Sequence, residues 1–283
     1  MKELRFEIQQ EQEQLQVGAF LRNQGISNGL IRRLKQTDGI AVDGASVTVR
    51  QILRAGQILT LRLPEIVTDI VPVPMDLDIV YEDDWLLLVN KPSGMPTHPS
   101  QNHHEDTLAN GVVYYFQNKP FSFHPITRLD RYTAGLTLIA KNPVAAAHLS
   151  RQVKNGSIQK TYYALTEGIP NPLIGAVDLP IGRVEGSVIK RQVCPNGKPA
   201  LTRYETVAIQ NNKAWVKVQP VTGRTHQIRV HMAAIGCPLV HDFLYGTEQD
   251  GKTFSLICVQ LVFEHPATKE QISIKIPLEK YGF

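Results

Sequence analysis

Cysteine is scarce in this chain, and long apolar runs are absent. The three cysteines among 283 residues, Cys194, Cys237 and Cys258, lack the spacing of a metal site or of a Cys-x-x-Cys redox motif. An odd number of scattered cysteines indicates free thiols in a reducing compartment. No stretch approaches the roughly 18 apolar residues of a membrane-spanning helix, and residues 1–6 lack the apolar run of a secretory signal. These absences predict a cytoplasmic protein that does not contact membranes.

Charge of one sign is not in large excess either. The formal net charge is +4, so the chain as a whole is only weakly basic. Clustered cations could still bind an anionic partner. Hydrophobic residues make up 42% of the sequence, which is ample for a packed core. The length suits one large domain and one small one.

Patterns typical of metal and nucleotide sites are weak. His103-His104-Glu105-Asp106 places consecutive side chains that rarely converge on one ion, and no second shell is evident. Residues 246–253 match the P-loop pattern, but the run after them, 254–263, reads as a strand where a P-loop requires a helix. We therefore predict no metal and no bound nucleotide.

The first 63 residues are predicted to form a separate small domain. Apolar residues recur at helical spacing in 15–24 and 28–36, and segments 39–42, 46–49 and 58–62 read as short strands. Asp43-Gly44 is a turn signal between the first two strands. The helical part carries four cations and no acid between residues 15 and 36: Arg22, Arg32, Arg33 and Lys35.

These four cations have two interpretations. A charge run is usually a solvated helix face. Alternatively, a cationic helix pair meets RNA phosphates and positions the protein without reading sequence. The pattern, followed by 38–44, resembles the αL RNA-binding module of a small-subunit ribosomal protein, and this resemblance favours the second interpretation.

The remainder is predicted to be a single larger domain. Residues 64–76, with three prolines, form a linker, and 77–283 form the second domain. Its strand segments are 78–81, 85–89, 136–140, 161–166, 215–219, 256–263 and 272–276, and its clearest helices are 107–117 and 143–154. Because the helices lack a regular βαβ rhythm, we expect an α+β fold with a mixed, mainly antiparallel central sheet and flanking helices.

Residues 124–136, His-Pro-Ile-Thr-Arg-Leu-Asp-Arg-Tyr-Thr-Ala-Gly-Leu, are the most informative stretch. Asp130 follows Arg128 by two residues and lies between basic and apolar neighbours. A partly desolvated carboxylate held in its ionised form is a candidate nucleophile or base. On spacing alone, a structural ion pair between Arg128 and Asp130 is an equally good interpretation.

Five ordered blocks resemble the RluA-type pseudouridine synthases. Residues 128–136 resemble the R-L-D-x-x-T-[SA]-G-L signature, and 222–231 resemble T-G-R-x-H-Q-I-R-x-H. Residues 160–164 are similar to K-x-Y-x-A, 90–99 to N-K-P-x-G-x-x-x-H-P, and 261–266 to L-x-F-x-H-P. Thr127, Ala134 and Ile257-Cys258 depart from the usual residues at their positions without touching the Asp, the Tyr or the second Arg.

The resemblance implies the chemistry of a cofactor-independent RNA isomerase. Asp130 would be the catalytic residue, and Arg229 would hold it through a bidentate guanidinium. Tyr162 would offer an aromatic face and a hydroxyl to a flipped base, although alone it reads as an ordinary strand aromatic. Leu261 would be an apolar wall near the uracil, a role compatible with plain core packing.

The second block contributes Arg224, His226 and Gln227 as candidate substrate contacts, together with Arg128. Read as a strand, the block would place Arg224 and His226 on one face and Gln227 and Arg229 on the other, and a helix start within it would change those faces. Histidines satisfied by main-chain bonds are an equally good interpretation of His226 and His231.

The predicted function is therefore RNA pseudouridine synthesis by a monomer. Large-subunit ribosomal RNA is the commoner substrate implied for relatives with this N-terminal module, and transfer RNA is the alternative. A catalytically silent RNA-binding assembly factor and an unrelated aspartate-based hydrolase are the competing classes. The joint presence of Asp130, Tyr162 and Arg229 favours the isomerase, and no motif supplies the second acid or base that a hydrolase needs.

Overall fold

The computed structural model describes residues 2–63, 68–119, 121–247 and 255–281. Five α-helices and sixteen strands occur in these ranges. The helices are α1 (Val17–Asn23), α2 (Asn28–Gln36), α3 (Leu108–Tyr115), α4 (Pro143–Asn155) and α5 (Gln227–Ala234). The first strands are β1 (Lys2–Glu7), β2 (Ile40–Val42), β3 (Ala45–Ser46), β4 (Ile58–Leu63), β5 (Ile79–Glu82), β6 (Leu86–Lys91), β7 (His124–Pro125) and β8 (Ala134–Ala140). The others are β9 (Gln159–Glu167), β10 (Ile174–Asp178), β11 (Ile181–Arg183), β12 (Arg191–Val193), β13 (Leu201–Gln210), β14 (Lys213–Pro220), β15 (Leu256–Glu264) and β16 (Gln271–Lys275).

Residues 2–63, here called the N-terminal module, form an antiparallel sheet of order β1-β4-β2-β3 with α1 and α2 packed on it. Helix α2 begins where the Ser27 side chain caps the amide of Leu30. Its apolar side chains Leu30 and Leu34 are buried, whereas its cations face outward. The turn before β3 has Asp43 and Gly44 at φ 51° and 84°, the left-handed conformation that the sequence predicts there.

The N-terminal module shares part of its core with the rest of the chain. Val144 of α4 is buried in the module's apolar cluster, and Trp85 packs against the same cluster. The Phe6 and Trp85 rings are in edge contact, with centroids 6.4 Å apart. The module is therefore packed against the beginning of α4, next to the large sheet.

The remaining described strands build a large mixed sheet of order β10-β13-β14-β9-β15-β8-β6-β5, with β16 added on β15 and β7 on β8. Its one parallel pair among the described residues joins β15 and β8, and the other pairs are antiparallel. Strands β11 and β12 form a separate hairpin. The predicted α+β fold with a mixed, mainly antiparallel sheet is confirmed.

Both faces of the central strands are covered. Leu86 and Leu88 of β6 belong to the core that includes Leu149 of α4 and Met232 of α5. Leu87 and Val89, which point the other way, pack with the residues of α3. Helices α4 and α5 therefore share one face of the sheet with the candidate site, and α3 lies on the opposite face.

Of the two interpretations of residues 222–231, a strand throughout or a helix start within the run, the structure has the helix start. The run turns at His226, whose φ is 57°, and continues as helix α5. Alternation therefore does not apply, and Gln227, Arg229 and His231 follow helical geometry. Strands β1, β7 and β10 to β13 were not predicted; β7, β11 and β12 have only two or three residues each.

The predicted domain bounds, 1–63, 64–76 and 77–283, stay a prediction, since residues 64–67 lie outside the described ranges. The described part of the predicted linker runs along α3: the Asn110 side chain donates to Val71 O at 2.8 Å, and Val73 N donates to Asn110 O at 3.2 Å. Most of the P-loop-like stretch 246–253 also lies outside the described residues. In the described ranges, no helix has the length and apolar character of a membrane span.

Candidate active site

The loop of residues 126–133, between β7 and β8, carries Asp130 and is held by a neighbouring loop. Thr97 Oγ1 donates to Leu129 O at 2.9 Å and accepts from Leu129 N at 3.3 Å. Thr133 N donates to Asp130 O at 3.1 Å. Gly94 N donates to Arg131 O, and Arg131 Nε donates to Gly94 O, both at 2.9 Å. The main chain around Asp130 is thus fixed on both sides.

The Lys91 side chain links the loop that carries Asp130 to the neighbouring loop that carries Gly94 and Thr97. It is fully buried, and Nζ donates to Pro92 O at 2.8 Å, to Met95 O at 2.7 Å and to Arg131 O at 3.1 Å. Burial lowers the pKa of Lys91 to about 7, against the opposing attraction of Asp130. Lys91 belongs to the 90–99 motif, but its role was not predicted, because the burial of a lysine cannot be read from the sequence.

The carboxylate of Asp130 is 30% exposed and faces two groups of the second block. Arg229 Nη1 and His226 Nε2 both lie 3.8 Å from Asp130 Oδ2. The Arg128–Asp130 ion pair that spacing allowed does not form among the described residues: the Arg128 side chain is exposed and lines the cavity instead. The charged partner of Asp130 is therefore Arg229, as the resemblance implied.

The prediction that Arg229 makes a bidentate contact with Asp130 is wrong, because Arg229 makes its bidentate contact with Asp242. Arg229 Nε and Nη2 donate to the fully buried Asp242 carboxylate at 2.8 and 2.7 Å. The guanidinium also lies over the rings of Phe243 and Tyr245, 5.4 and 5.0 Å from their centroids. Only 3% of the Arg229 side chain is exposed, so it is a fixed positive group aimed at Asp130.

Tyr245 connects this arrangement to His226. The Tyr245 hydroxyl lies 2.8 Å from His226 Nδ1 and accepts from Arg191 N of β12 at 2.9 Å. Burial lowers the pKa of His226, opposed by the attraction of Asp130. His226 is thus a neutral, oriented ring beside Asp130 near pH 7, and not a main-chain-satisfied structural histidine.

Tyr162 and Lys160 of β9 line the opposite wall. Burial raises the pKa of Tyr162 well above its ordinary value, and its hydroxyl hydrogen-bonds to Cys258. Burial also raises the pKa of Cys258, to about 12, so both groups stay protonated. Burial lowers the pKa of Lys160.

Leu261 was expected in the apolar wall but does not line the cavity. Leu261 lies opposite Lys160, on the same sheet face as Tyr162, but its side chain is fully buried in the core cluster that also contains Tyr162. Leu256, at the start of the same strand, lines the cavity. The apolar wall on β15 is therefore supplied five residues earlier than expected.

Two of the remaining second-block residues are structural. The Gln227 side chain accepts from Thr222 Oγ1 and Arg224 N at 2.8 and 2.9 Å and donates to Leu201 O and Thr202 Oγ1 at 3.0 and 2.9 Å. These bonds use its amide fully and brace the turn, and Gln227 also lines the cavity; its role in binding substrate stays a prediction. His231 is buried between Thr202 Oγ1 and Leu179 O, each 2.9 Å away. Arg224 lines the cavity, and its Nε donates to Pro199 O at 2.9 Å.

These residues enclose a cavity of about 570 Å³. Its wall includes Asp130, Tyr162, Arg229, His226 and Leu256. The volume is in the usual range for a small-molecule or single-nucleotide site. An acid, a buried cation and an aromatic side chain therefore meet in one cleft that opens to solvent.

Metal ligands do not cluster in the described part of the chain. His103 instead pairs with Asp106, with Nδ1 2.6 Å from Oδ2. Arg22, Arg32, Arg33 and Lys35 are exposed on α1 and α2, away from the cavity lining. Asp242 and Tyr245 were not foreseen at all, because nothing in the local sequence around 242–245 connects them to Arg229.

Residues 85–234 match the family model described as RNA pseudouridylate synthase. The uncharacterized RNA pseudouridine synthase YjbO of Bacillus subtilis is 38% identical over 260 residues, which cover 90% of this chain and 92% of that protein. Ribosomal large subunit pseudouridine synthase C of Vibrio cholerae is 33% identical and covers 93% of this chain and 89% of its own. The structure of Human RNA Pseudouridylate Synthase Domain Containing 1 matches with a TM-score of 0.62 and 28% identity, covering 71% of this chain and 83% of that one. The matched region contains Asp130, Tyr162 and Arg229, so the similarity includes the cavity.

Proposed function

Because the chain belongs to the RNA pseudouridylate synthase family, we propose that Asp130 is the catalytic group with which it isomerises uridines, and that its substrate is large-subunit ribosomal RNA. The enzyme class, an RNA pseudouridine synthase, follows from the family. The catalytic residue and the RNA are the proposal.

The observation that carries the proposal for Asp130 is its place in the cavity. It is a partly exposed carboxylate that faces two oriented groups, Arg229 and His226, at 3.8 Å. Arg229 presents its positive charge to Asp130 at 3.8 Å, whereas its Nε and Nη2 donate to Asp242. Within the described ranges no side chain hydrogen-bonds to the Asp130 carboxylate, and a carboxylate with available lone pairs is suited to attack or to stabilise a cation.

The reaction exchanges one bond for another within a nucleotide. The bond between ribose C1′ and uracil N1 breaks, a bond between C1′ and uracil C5 forms, the C5 proton leaves to solvent, and N1 takes up a proton. The Asp130 carboxylate attacks either C1′ or the uracil ring. This exchange needs no electron acceptor and no group donor.

The other wall residues hold the base while it is detached. The target uridine must leave its stack, at a cost of a few kcal/mol, and enter a pocket that replaces the stacking. Tyr162 offers an aromatic face, and Leu256 offers an apolar one. Because burial keeps the Tyr162 hydroxyl protonated, Tyr162 acts as a wall and a hydrogen-bond donor and not as a resting base.

The ribosomal target is supported by a named relative and by the N-terminal module. A relative called Ribosomal large subunit pseudouridine synthase C covers 93% of this chain, which includes most of the module. The module exposes Arg22, Arg32, Arg33 and Lys35, and such cations supply sequence-independent contacts to phosphates. We propose that the protein acts on this RNA as a cytoplasmic monomer.

The test follows tritium released from uracil C5. Large-subunit ribosomal RNA and transfer RNA, each made with [5-³H]uridine and free of modification, are incubated with the wild type, with Asp130→Ala and with Asp106→Ala, an exposed carboxylate beside the cavity as control. We expect release from ribosomal RNA by the wild type and by Asp106→Ala, and none by Asp130→Ala.

Each other outcome removes a defined part of the proposal. Release by Asp130→Ala would remove the catalytic assignment. Release from transfer RNA alone would show that transfer RNA, and not ribosomal RNA, is the substrate. Release from neither RNA, with RNA binding intact, would favour a silent binding factor.

A further inference from the structure

A cluster of basic side chains lies outside the cavity, where the N-terminal module meets helix α4. Arg151 Nη2 and Lys269 Nζ both point at His148 Nδ1, at 3.5 and 3.3 Å. On the other side of the same ring, His148 Nε2 lies 3.0 Å from Glu264 Oε1. We call these three residues, Arg151, His148 and Lys269, the seam cluster.

The seam cluster carries more positive charge than its one carboxylate neutralises. Because the Nε2 proton of His148 goes to Glu264, Nδ1 is the acceptor and offers one lone pair to two cations. Burial lowers the pKa of His148, and the repulsion of Lys269 lowers it further, while Glu264 opposes the shift. Arg151 and Lys269 are both exposed, so donor groups of both are available to an anion from solvent.

Contacts with other parts of the fold hold the two cations in place. Lys269 Nζ donates to Pro266 O at 2.7 Å, in a turn whose amides Ala267 N and Thr268 N donate to His265 Nδ1 at 3.2 and 3.1 Å. The Arg151 guanidinium lies flat against Gly25, at the end of α1, where a Cβ would overlap it. Such a fixed pair loses little side-chain entropy when an anion binds.

The position of the seam cluster indicates which anion it meets. Helix α4 carries Arg151, and Val153 on the same helix lines the catalytic cavity. Gly25 belongs to the N-terminal module, between Arg22 on α1 and the start of α2. Helix α4, which carries Arg151, therefore borders both the catalytic cavity and the N-terminal module.

We propose that Arg151 and Lys269 bind a phosphate of the substrate RNA backbone at the seam between the N-terminal module and α4. The proposal rests on the proposed function for the identity of the anion. A phosphate there would contact both parts of the protein and fix the module relative to the cavity. Neither residue belongs to the catalytic cavity, so the expected effect is on RNA binding and not on the chemical step.

The experiment measures equilibrium binding of large-subunit ribosomal RNA at several salt concentrations. The variants are Arg151→Ala plus Lys269→Ala and a control, Lys213→Ala plus Lys217→Ala. The control lysines pair with Glu167 and Glu205, and Lys217 is paired across the strands with Tyr163, on the sheet face opposite Tyr162. Each phosphate contact contributes about 0.7–0.9 to the slope of log K against log salt.

We expect the seam variant to lose about 1.5 from that slope and to raise KM for tritium release with kcat unchanged. The control should match the wild type. The charge-conserving variant Arg151→Lys plus Lys269→Arg should retain most of the slope, which separates charge from a packing defect. A wild-type slope in the seam variant, or equal losses in the seam variant and the control, would overturn the proposal.

Failure of this proposal is distinguishable from failure of the proposed function. Asp130→Ala should bind RNA with the wild-type slope and release no tritium. If the wild type binds RNA but releases no tritium, the catalytic proposal fails. The salt dependence of RNA binding by the seam variant then still tests the phosphate site. If it releases tritium and the seam variant keeps the wild-type slope, only the seam site fails.

Discussion

Two basic side chains near Asp130, Arg229 and Lys91, donate their hydrogen bonds to other groups. Arg229 gives its paired donors to Asp242, and Lys91 gives its three to main-chain carbonyls. Both attract the carboxylate electrostatically without a close contact, since the nearest Arg229 nitrogen is 3.8 Å from it. Both cations thus lie near Asp130 without hydrogen-bonding to its carboxylate.

Lys91→Met should destabilise the protein in a pH-dependent way. The variant removes the lysine donor from Pro92 O and Met95 O, whereas Arg131 O keeps the amide of Gly94, and a buried group left unsatisfied costs about 1–3 kcal/mol. The pKa of Lys91 is about 7 in the folded state and about 10.4 when unfolded. Between these values the unfolded state binds more protons, so this lysine makes wild-type stability rise with pH. Relative to Lys91→Met, the wild type should gain roughly 2 kcal/mol between pH 7 and pH 9.

Urea unfolding of both proteins at the two pH values measures this difference. Lys275→Met is the control, because Lys275 is exposed on β16, and it should change stability by less than about 0.5 kcal/mol. A pH-independent gap between wild type and Lys91→Met would contradict the linkage.

The junction of β8 with β15 fixes the end of the Asp130 loop. Gly135 has φ of 108°, and a Cβ there would lie 2.6 Å from Cys258 N and 2.8 Å from Cys258 C. This close approach is the parallel pairing of β8 with β15, where Gly135 lies opposite Cys258. Tyr162 lies opposite the same Cys258 on the other side of β15, so the glycine brings the loop and the tyrosine wall together.

Gly135→Ala should therefore reduce both stability and activity. The left-handed conformation costs a side chain about 1–2 kcal/mol, and the overlap with rigid backbone adds to it, so we expect a loss above about 3 kcal/mol. Urea unfolding and tritium release measure the two effects. The control is Gly186→Ala, which has φ of 74° but open space around it, and should lose only about 1–2 kcal/mol with activity retained. Equal losses in both variants would show that the approach of β8 to β15 does not constrain the site.

The cavity and the exposed cations of the N-terminal module lie in different parts of the chain. The cavity is built entirely from residues after position 95, whereas four exposed cations lie on the two helices of the N-terminal module. The module is packed against α4 and Trp85. If the module binds RNA and the cavity carries the chemistry, as we propose, mutations should separate the two.

Arg32→Glu plus Arg33→Glu should weaken RNA binding without changing kcat at saturating RNA. Loss of two phosphate contacts should lower the salt slope by about 1.5. Binding titrations at several salt concentrations measure it, with Lys213→Glu plus Lys217→Glu as the charge-matched control. An unchanged slope would exclude α2 from the RNA surface.

The sequence alone determined the features that depend on local chemistry. Helix α2, the β2–β3 turn and strands such as β8 and β15 follow from periodicity and turn residues, which act over a few neighbours. The order of the motifs identified the family and with it Asp130, Tyr162 and Arg229. The α+β class followed from the irregular alternation of strands and helices.

Only the tertiary structure decided which charges meet. Arg229 pairs with Asp242, His226 with Tyr245, and Arg151 packs on Gly25, more than 100 residues away. Helix α5 starts within the second block, where His226 turns the chain at positive φ. Leu261 shares a sheet face with Tyr162 but is buried in the core and does not reach the cavity lining. Long-range pairing and burial leave no local trace in the sequence, since they depend on which distant segments the sheet brings side by side.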